Sequence, residues 1–145
     1  THLDYDHASG LDDFPGATVW VHRDELAAAQ APRTGDERRR YVAANWAHGP
    51  RWSPFDGEAE LLDGLVVALP MPGHTRGHTA YLVGGTLVHA GDAFYHAATL
   101  VADDAAPRGM RVFERVGAVL PDRVAGNHER LRRQALESDR RRRSR

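Results

Sequence analysis

His2, Asp4, Asp6 and His7 place two imidazoles and two carboxylates within six residues, and His74, Asp92 and His128 follow farther along the chain. The later three stand in short punctuated contexts, Pro72-Gly73-His74-Thr75, Gly91-Asp92 and Gly126-Asn127-His128. Imidazole nitrogen and carboxylate oxygen suit zinc, iron or manganese, so a fold that gathers these side chains makes a metal site. A bound ion lowers the pKa of its water to about 7, and a second ion polarises a carbonyl, so such a site hydrolyses without a side-chain nucleophile. The chain has no cysteine, which excludes thiolate ligands, a cysteine nucleophile and a disulfide framework.

A histidine alone is more often a surface or core residue than a ligand, and aspartate favours turns because it hydrogen-bonds its own backbone. Independent turns would seldom reproduce the whole order of His2, Asp6, His7, His74 and Asp92. His128 is the weaker member, since Gly-Asn-His also reads as a turn before a helix. His22, His48, His89 and His96 lack a motif and read as bystanders.

The order resembles that of the metallo-β-lactamase superfamily of metal-dependent hydrolases, whose motif runs His-x-His-x-Asp-His, then a later His, a bridging Asp and a last His. The resemblance covers nearly the whole chain and implies an α/β fold, an αββα sandwich. It assigns His2, position 4 and His74 to one ion, Asp6, His7 and His128 to another, and Asp92 to the bridge. Two zinc ions are implied, with iron or manganese as alternatives. Position 4 departs from the pattern: Asp4 stands where most members carry histidine, and a carboxylate there is similar to the flavodiiron branch. His78, in Pro-Gly-His-Thr-Arg-Gly-His, resembles the family histidine that steadies the ligand loop instead of binding metal.

The implied function is hydrolysis of a lactone, ester or thioester by metal-bound hydroxide, with Asp6 orienting the nucleophile. Tyr95 lies three residues after Asp92, where lactonases of the family that open acyl-homoserine lactones carry a tyrosine, and it could serve the oxyanion. A core anchor is the other reading of Tyr95. His74-Thr75-x-Gly77-His78 is shared with glyoxalase II-like thioesterases, so lactone chemistry is preferred only slightly. The alternatives are a diiron redox protein, suggested by Asp4, and a catalytically inactive metal-binding module.

The elements that must position these residues follow from punctuation and periodicity. Gly and Pro bracket a short helix between Ser9-Gly10 and Pro15-Gly16. Thr18 to Val21 reads as a strand, Asp24 as the N-cap of a helix through Ala29, and 36–46 as another helix. Gly49 to Gly57, with Trp52, Pro54 and Phe55, is either a substrate lid or a packed loop. Leu65 to Leu69 reads as a strand, followed by a hairpin of Thr79 to Val83 and Thr86 to Ala90 that fixes His74 and Asp92 at one end. A helix over 108–120 has Met110, Phe113, Val116 and Val119 or Leu120 available for a buried face. Val124-Ala125 reads as a short strand feeding His128, and 129–136 as a last helix.

A length of 145 residues is about one domain's worth, assigned here to 1–138, with 139–145 as a basic disordered tail. The net charge of -1 argues against bulk attraction to nucleic acid, although all 19 basic residues are arginine, and the expected partner is a small-molecule substrate. No apolar run approaches the roughly 20 residues of a membrane span, and no targeting segment is visible, which suggests a cytoplasmic protein. The resembling fold has strands ahead of its first motif, whereas this chain starts at the motif. The expectation is a fold incomplete at the N-terminus, with a homodimer covering the open half-sheet.

Overall fold

The computed structural model describes residues 1–102 and 105–143. It is an α/β arrangement of two sheets with helices packed against them. In the first sheet, β1 (Thr18–His22) pairs in parallel with β2 (Arg51–Phe55), in the register Val19 to Trp52 and His22 to Phe55. The second sheet is antiparallel, in the order β3 (Ala59–Leu61), β4 (Val66–Pro70), β5 (Thr79–Val83), β6 (Leu87–His89).

Two larger apolar cores fix this frame, and a smaller third cluster joins Phe55, Leu61 and Ala68. Leu3, Ala8, Val21, Ala28 and Tyr41 pack together under the first sheet. Leu69, Met71, Ala80, Leu82, Ala93 and Leu131 form the second, where β4 and β5 meet the last helix. Burial of the leucine, valine and methionine side chains among them stabilises by about 1.5–3 kcal/mol each. Both cores contain residues adjacent to ligand candidates, Leu3 beside His2 and Asp4, and Ala93 beside Asp92, so packing and site geometry are coupled.

Several elements differ from the expectation. The stretch from Gly49 to Gly57 is neither lid nor loop at its centre but contains β2; Phe55 is buried with Leu61 and Ala68, and Trp52 is half-buried against the first core, so their aromatic area anchors the packing. The helix expected over 36–46 ends at Arg40 as α3 (Gly35–Arg40), and a separate 3-10 turn covers Ala43–Trp46. α2 (Arg23–Gln30) is capped by His22, whose Nδ1 accepts the Asp24 amide at 3.2 Å, and not by Asp24. β3 was not foreseen, being only three residues long.

The C-terminal third departs most. α4 (Arg108–Gly117) exposes Phe113 and Val116, 64% and 79% accessible, and buries Glu114 instead. Val124-Ala125 is not a strand: it begins α5 (Val124–Arg143), so His128 lies inside a helix. That helix takes in 139–143 of the basic run where a disordered tail was expected, while 144 and 145 lie outside the described residues. Among the described residues no helix is long and apolar enough to cross a membrane.

Candidate metal centre

Three loops converge at one end of the sheets. The N-terminal stretch is pinned by the Thr1 carbonyl, which accepts the Thr79 amide of β5 at 3.0 Å. After Asp4 the chain turns at once into α1 (Tyr5–Ala8): the Asp4 carbonyl accepts the amides of His7 and Ala8 at 3.0 and 2.9 Å, and this single turn brings His7 back beside His2. The second loop, Met71 to His78, joins β4 to β5 and carries His74. The third follows β6 and carries Asp92 within a 3-10 turn, Gly91–Ala93.

A buried carboxylate ties two of these loops together. Glu25 of α2 is inaccessible to solvent and accepts the Leu3 amide at 2.8 Å, the Thr75 hydroxyl at 2.6 Å, the Gly77 amide at 3.0 Å and the Tyr41 hydroxyl at 3.2 Å. Burial pushes its pKa up, against the pull of these donors. Glu37 of α3 braces the same loop: its carboxylate takes Arg76 Nε at 2.6 Å and the Arg33 amide at 2.7 Å. His78 fixes the third loop by accepting the Asp92 amide on Nε2 at 3.0 Å. It therefore steadies Asp92 through the backbone, in line with the role its motif implied. Gly91 is required here, since its φ is +52° and a Cβ would lie 2.7 Å from Thr1 Oγ1 and 2.9 Å from His78 Nε2.

The donor atoms of five candidates fall together. His2, Asp4 and His74 form one group and His2, His7 and Asp92 another, each with one donor per residue inside 4.8 Å. Asp4 Oδ2 lies 3.1 Å from His74 Nε2 and 3.7 Å from His2 Nε2; Asp92 lies 3.4 Å from both His7 Nε2 and His74 Nε2. The His2 ring centroid is 4.1 Å from that of His7 and 4.9 Å from that of His74. Burial first, then the neighbouring imidazoles, push the His2 pKa far below its ordinary value, and His78 shifts the same way through burial and its positive neighbours. Neutral rings offer lone pairs. His2 Nδ1 is engaged with Thr1 Oγ1 at 2.8 Å, whereas His2 Nε2 and Asp4 Oδ1 are buried with no hydrogen-bond partner. A cation beside His2 Nε2 satisfies that nitrogen, so the residues present fit a metal ion.

Asp6 and His128 belong to neither group. Asp6 is exposed, with Oδ2 4.0 Å from His7 Nε2, because the α1 turn that brings His7 inward directs its neighbour to solvent. His128 is buried on α5 with Nε2 3.0 Å from Glu114 Oε1. Tyr95 does reach the centre: its hydroxyl is 3.0 Å from His74 Nδ1, and its pKa is pushed up to about 12 by burial and then by the Asp92 charge. Arg40 is also at the centre, with Nη1 2.6 Å from Asp4 Oδ2 and 3.1 Å from His74 Nε2. Neither Arg40, Glu25 nor Glu37 was singled out from sequence. Asp36 and Arg40, four apart in the helix, hinted only at a local ion pair.

Comparison with known proteins bears out the family. The family model of the metallo-β-lactamase superfamily matches residues 1–143, and the chain belongs to that superfamily. Probable metallo-hydrolases of Mycobacterium tuberculosis and Mycobacterium bovis are each 37% identical over 147 aligned positions, covering 90% of this chain and 47% of theirs. An N-acyl homoserine lactone hydrolase, solved with N-hexanoyl-L-homoserine at its catalytic metal centre, superposes with a TM-score of 0.73 at 21% identity, covering 95% of this chain and 50% of that one. A probable metal-dependent hydrolase from Staphylococcus aureus gives 0.71 at 23%, covering 90% and 47%. These likenesses share the α/β fold, and the chain spans about half the length of the curated relatives it matches.

Proposed function

We propose that this chain carries the metal-binding half of a hydrolase acting on a lactone, ester or thioester, with a lactone preferred. The observation that carries the reading is the meeting of three imidazoles and two carboxylates around His2, whose Nε2 is buried without a partner. His2, His7 and Asp92 would hold the ion, with His74 and Asp4 beside them; zinc suits the imidazole nitrogens, and iron or manganese suits the carboxylate oxygens. When bound, the ion supplies Lewis acidity and a water acidic enough to provide hydroxide at neutral pH.

The chain's own groups supply orientation. With His74 Nε2 facing the Arg40 guanidinium, which can only donate, the ring proton sits on Nδ1 and is donated to the Tyr95 oxygen, which fixes the imidazole tautomer. The Tyr95 proton is then free to reach a substrate oxygen, and its raised pKa keeps it a donor. The lactone hydrolases among the structural neighbours support the substrate class, while the probable metallo-hydrolases support hydrolysis more broadly.

The test is metal content of the purified full-length protein together with its rates on an N-acyl homoserine lactone, a thioester and a phosphodiester. Bound metal with the lactone fastest is expected. Tight iron with oxygen consumption and no hydrolysis would replace this reading with a redox one, and faster phosphodiester cleavage would replace the substrate class.

A further inference from the structure

Arg40 ends α3 with its guanidinium held by acceptors from three parts of the fold. Nε donates to Asp36 Oδ2 at 2.9 Å along the helix, Nη1 to Asp4 Oδ2 at 2.6 Å, and Nη2 to the Gly117 carbonyl at the end of α4. The side chain is 14% accessible, and Asp4 is 7% accessible. A planar fork gripped in three directions is a fixed charge, not a mobile surface arginine.

The position of that charge bears on the metal count. Asp4 Oδ2 faces both imidazoles of the first group, 3.1 Å from His74 Nε2 and 3.7 Å from His2 Nε2, and it is the oxygen that Arg40 already holds. Nη1 also lies 3.1 Å from His74 Nε2, the nitrogen of the same group. A dication placed there would have to displace the guanidinium or stand against it with like charge. The carboxylate of the second group, His2, His7 and Asp92, is 3.4 Å from His7, and Arg40 holds its Asp4 partner in the first group instead.

We infer that Arg40 takes the place of a second metal ion: Asp4 is its counter-ion and not a ligand, and the centre holds one ion on His2, His7 and Asp92 with His74 alongside. The aspartate found where a histidine is usual is then explained by charge. An imidazole at position 4 would remove the buried anion beside Nη1 and leave Arg40 with the half-exposed carboxylate of Asp36, whereas Asp4 neutralises the guanidinium on its buried side. This inference rests on the hydrolase reading only in requiring that the centre binds metal.

The experiment is zinc stoichiometry by elemental analysis and titration calorimetry on the chelator-treated full-length protein and its variants, with hydrolysis measured alongside. The parent should bind one ion per chain with high affinity. Arg40→Gln should bind two, Arg40→Lys, which keeps the charge, should remain at one, and Asp4→Asn should keep its single ion within about tenfold of the parent affinity. Two tightly bound ions in the parent overturn the inference while leaving the hydrolase reading in place; so does loss of the single ion in Asp4→Asn protein that remains folded by circular dichroism. If Arg40→Gln does not fold, the parent count with Arg40→Lys and Asp4→Asn decides. A parent that binds no zinc, iron or manganese overturns both readings.

Discussion

Glu25 on α2 accepts the amide of Leu3 at 2.8 Å, so a fully buried carboxylate grips the backbone between His2 and Asp4. Its other oxygen takes the Thr75 hydroxyl and the Gly77 amide on the loop that carries His74. Glu25→Ala leaves four buried donors, with Tyr41, lacking an acceptor, and each such loss costs about 1–3 kcal/mol. The variant should lose at least about 3 kcal/mol in chemical denaturation and bind zinc more weakly. Stability within about 1 kcal/mol of the parent would remove Glu25 as the clamp of the two loops.

Acid should loosen the same region through Glu37. Burial alone would raise its pKa, but the Arg76 hydrogen bond and the Arg33 and Thr34 amides outweigh burial and hold it below its ordinary 4.5. A carboxyl depressed in the folded state adds stability above its unfolded pKa and loses it as pH falls through the folded one. The parent should therefore lose stability more steeply below pH 4.5 than Glu37→Gln, which should cost about 1–3 kcal/mol at neutral pH. Parallel stability curves for the two proteins across that range would show that Glu37 does not titrate with folding.

Tyr95→Phe removes one hydroxyl from the His74 side of the centre. If that hydroxyl serves the oxyanion, turnover should fall by up to roughly a hundred- to a thousandfold, as when one such donor is lost elsewhere, with metal content unchanged. Steady-state rates on metal-quantified protein decide, and a variant as fast as the parent takes Tyr95 out of the mechanism. The parent pH-rate profile should show no tyrosine ionisation in the neutral range, since burial and the Asp92 charge push the group up to about 12.

Gly77 meets Glu25 so closely that a Cβ would overlap the Glu25 backbone nitrogen. Gly77→Ala should cost about 1–3 kcal/mol by overpacking. Gly16→Ala, where a Cβ meets nothing within 4 Å, should stay within about 0.5 kcal/mol of the parent. Equal thermal stability of the two variants would mean that α2 can move away from the ligand loop.

The fold class was legible because ligands recur in a fixed order, and β4, β5 and β6 are short, largely apolar runs punctuated by Pro and Gly. That order put His2, Asp4, Asp6, His7, His74, Asp92 and His128 at the metal site; the donor atoms of His2, Asp4, His7, His74 and Asp92 come together, and Asp6 and His128 stand outside both groups. Glu25, Glu37 and Arg40 were not legible, since each acts on residues tens of positions away and no local period marks a buried charge. The amphipathic spacing of α4 misled: Phe113 and Val116 are apolar at helical intervals yet exposed, and the buried position went to Glu114, which has His128 as partner. Val124-Ala125 was too short for periodicity to separate strand from helix.

The contacts that build the centre span long loops of chain. Leu3 reaches Glu25 across 22 positions, Thr75 reaches it across 50, and Asp4 meets His74 across 70. Each closure costs chain entropy before it returns any contact energy, so non-local contacts of this kind form slowly. The hairpin of β5 and β6, by contrast, closes locally. Competence to hold an ion therefore arrives at the end of folding, after the sheets have brought the three loops together. Zinc supplied during refolding should leave the early steps unchanged and act on the finished state, slowing its unfolding.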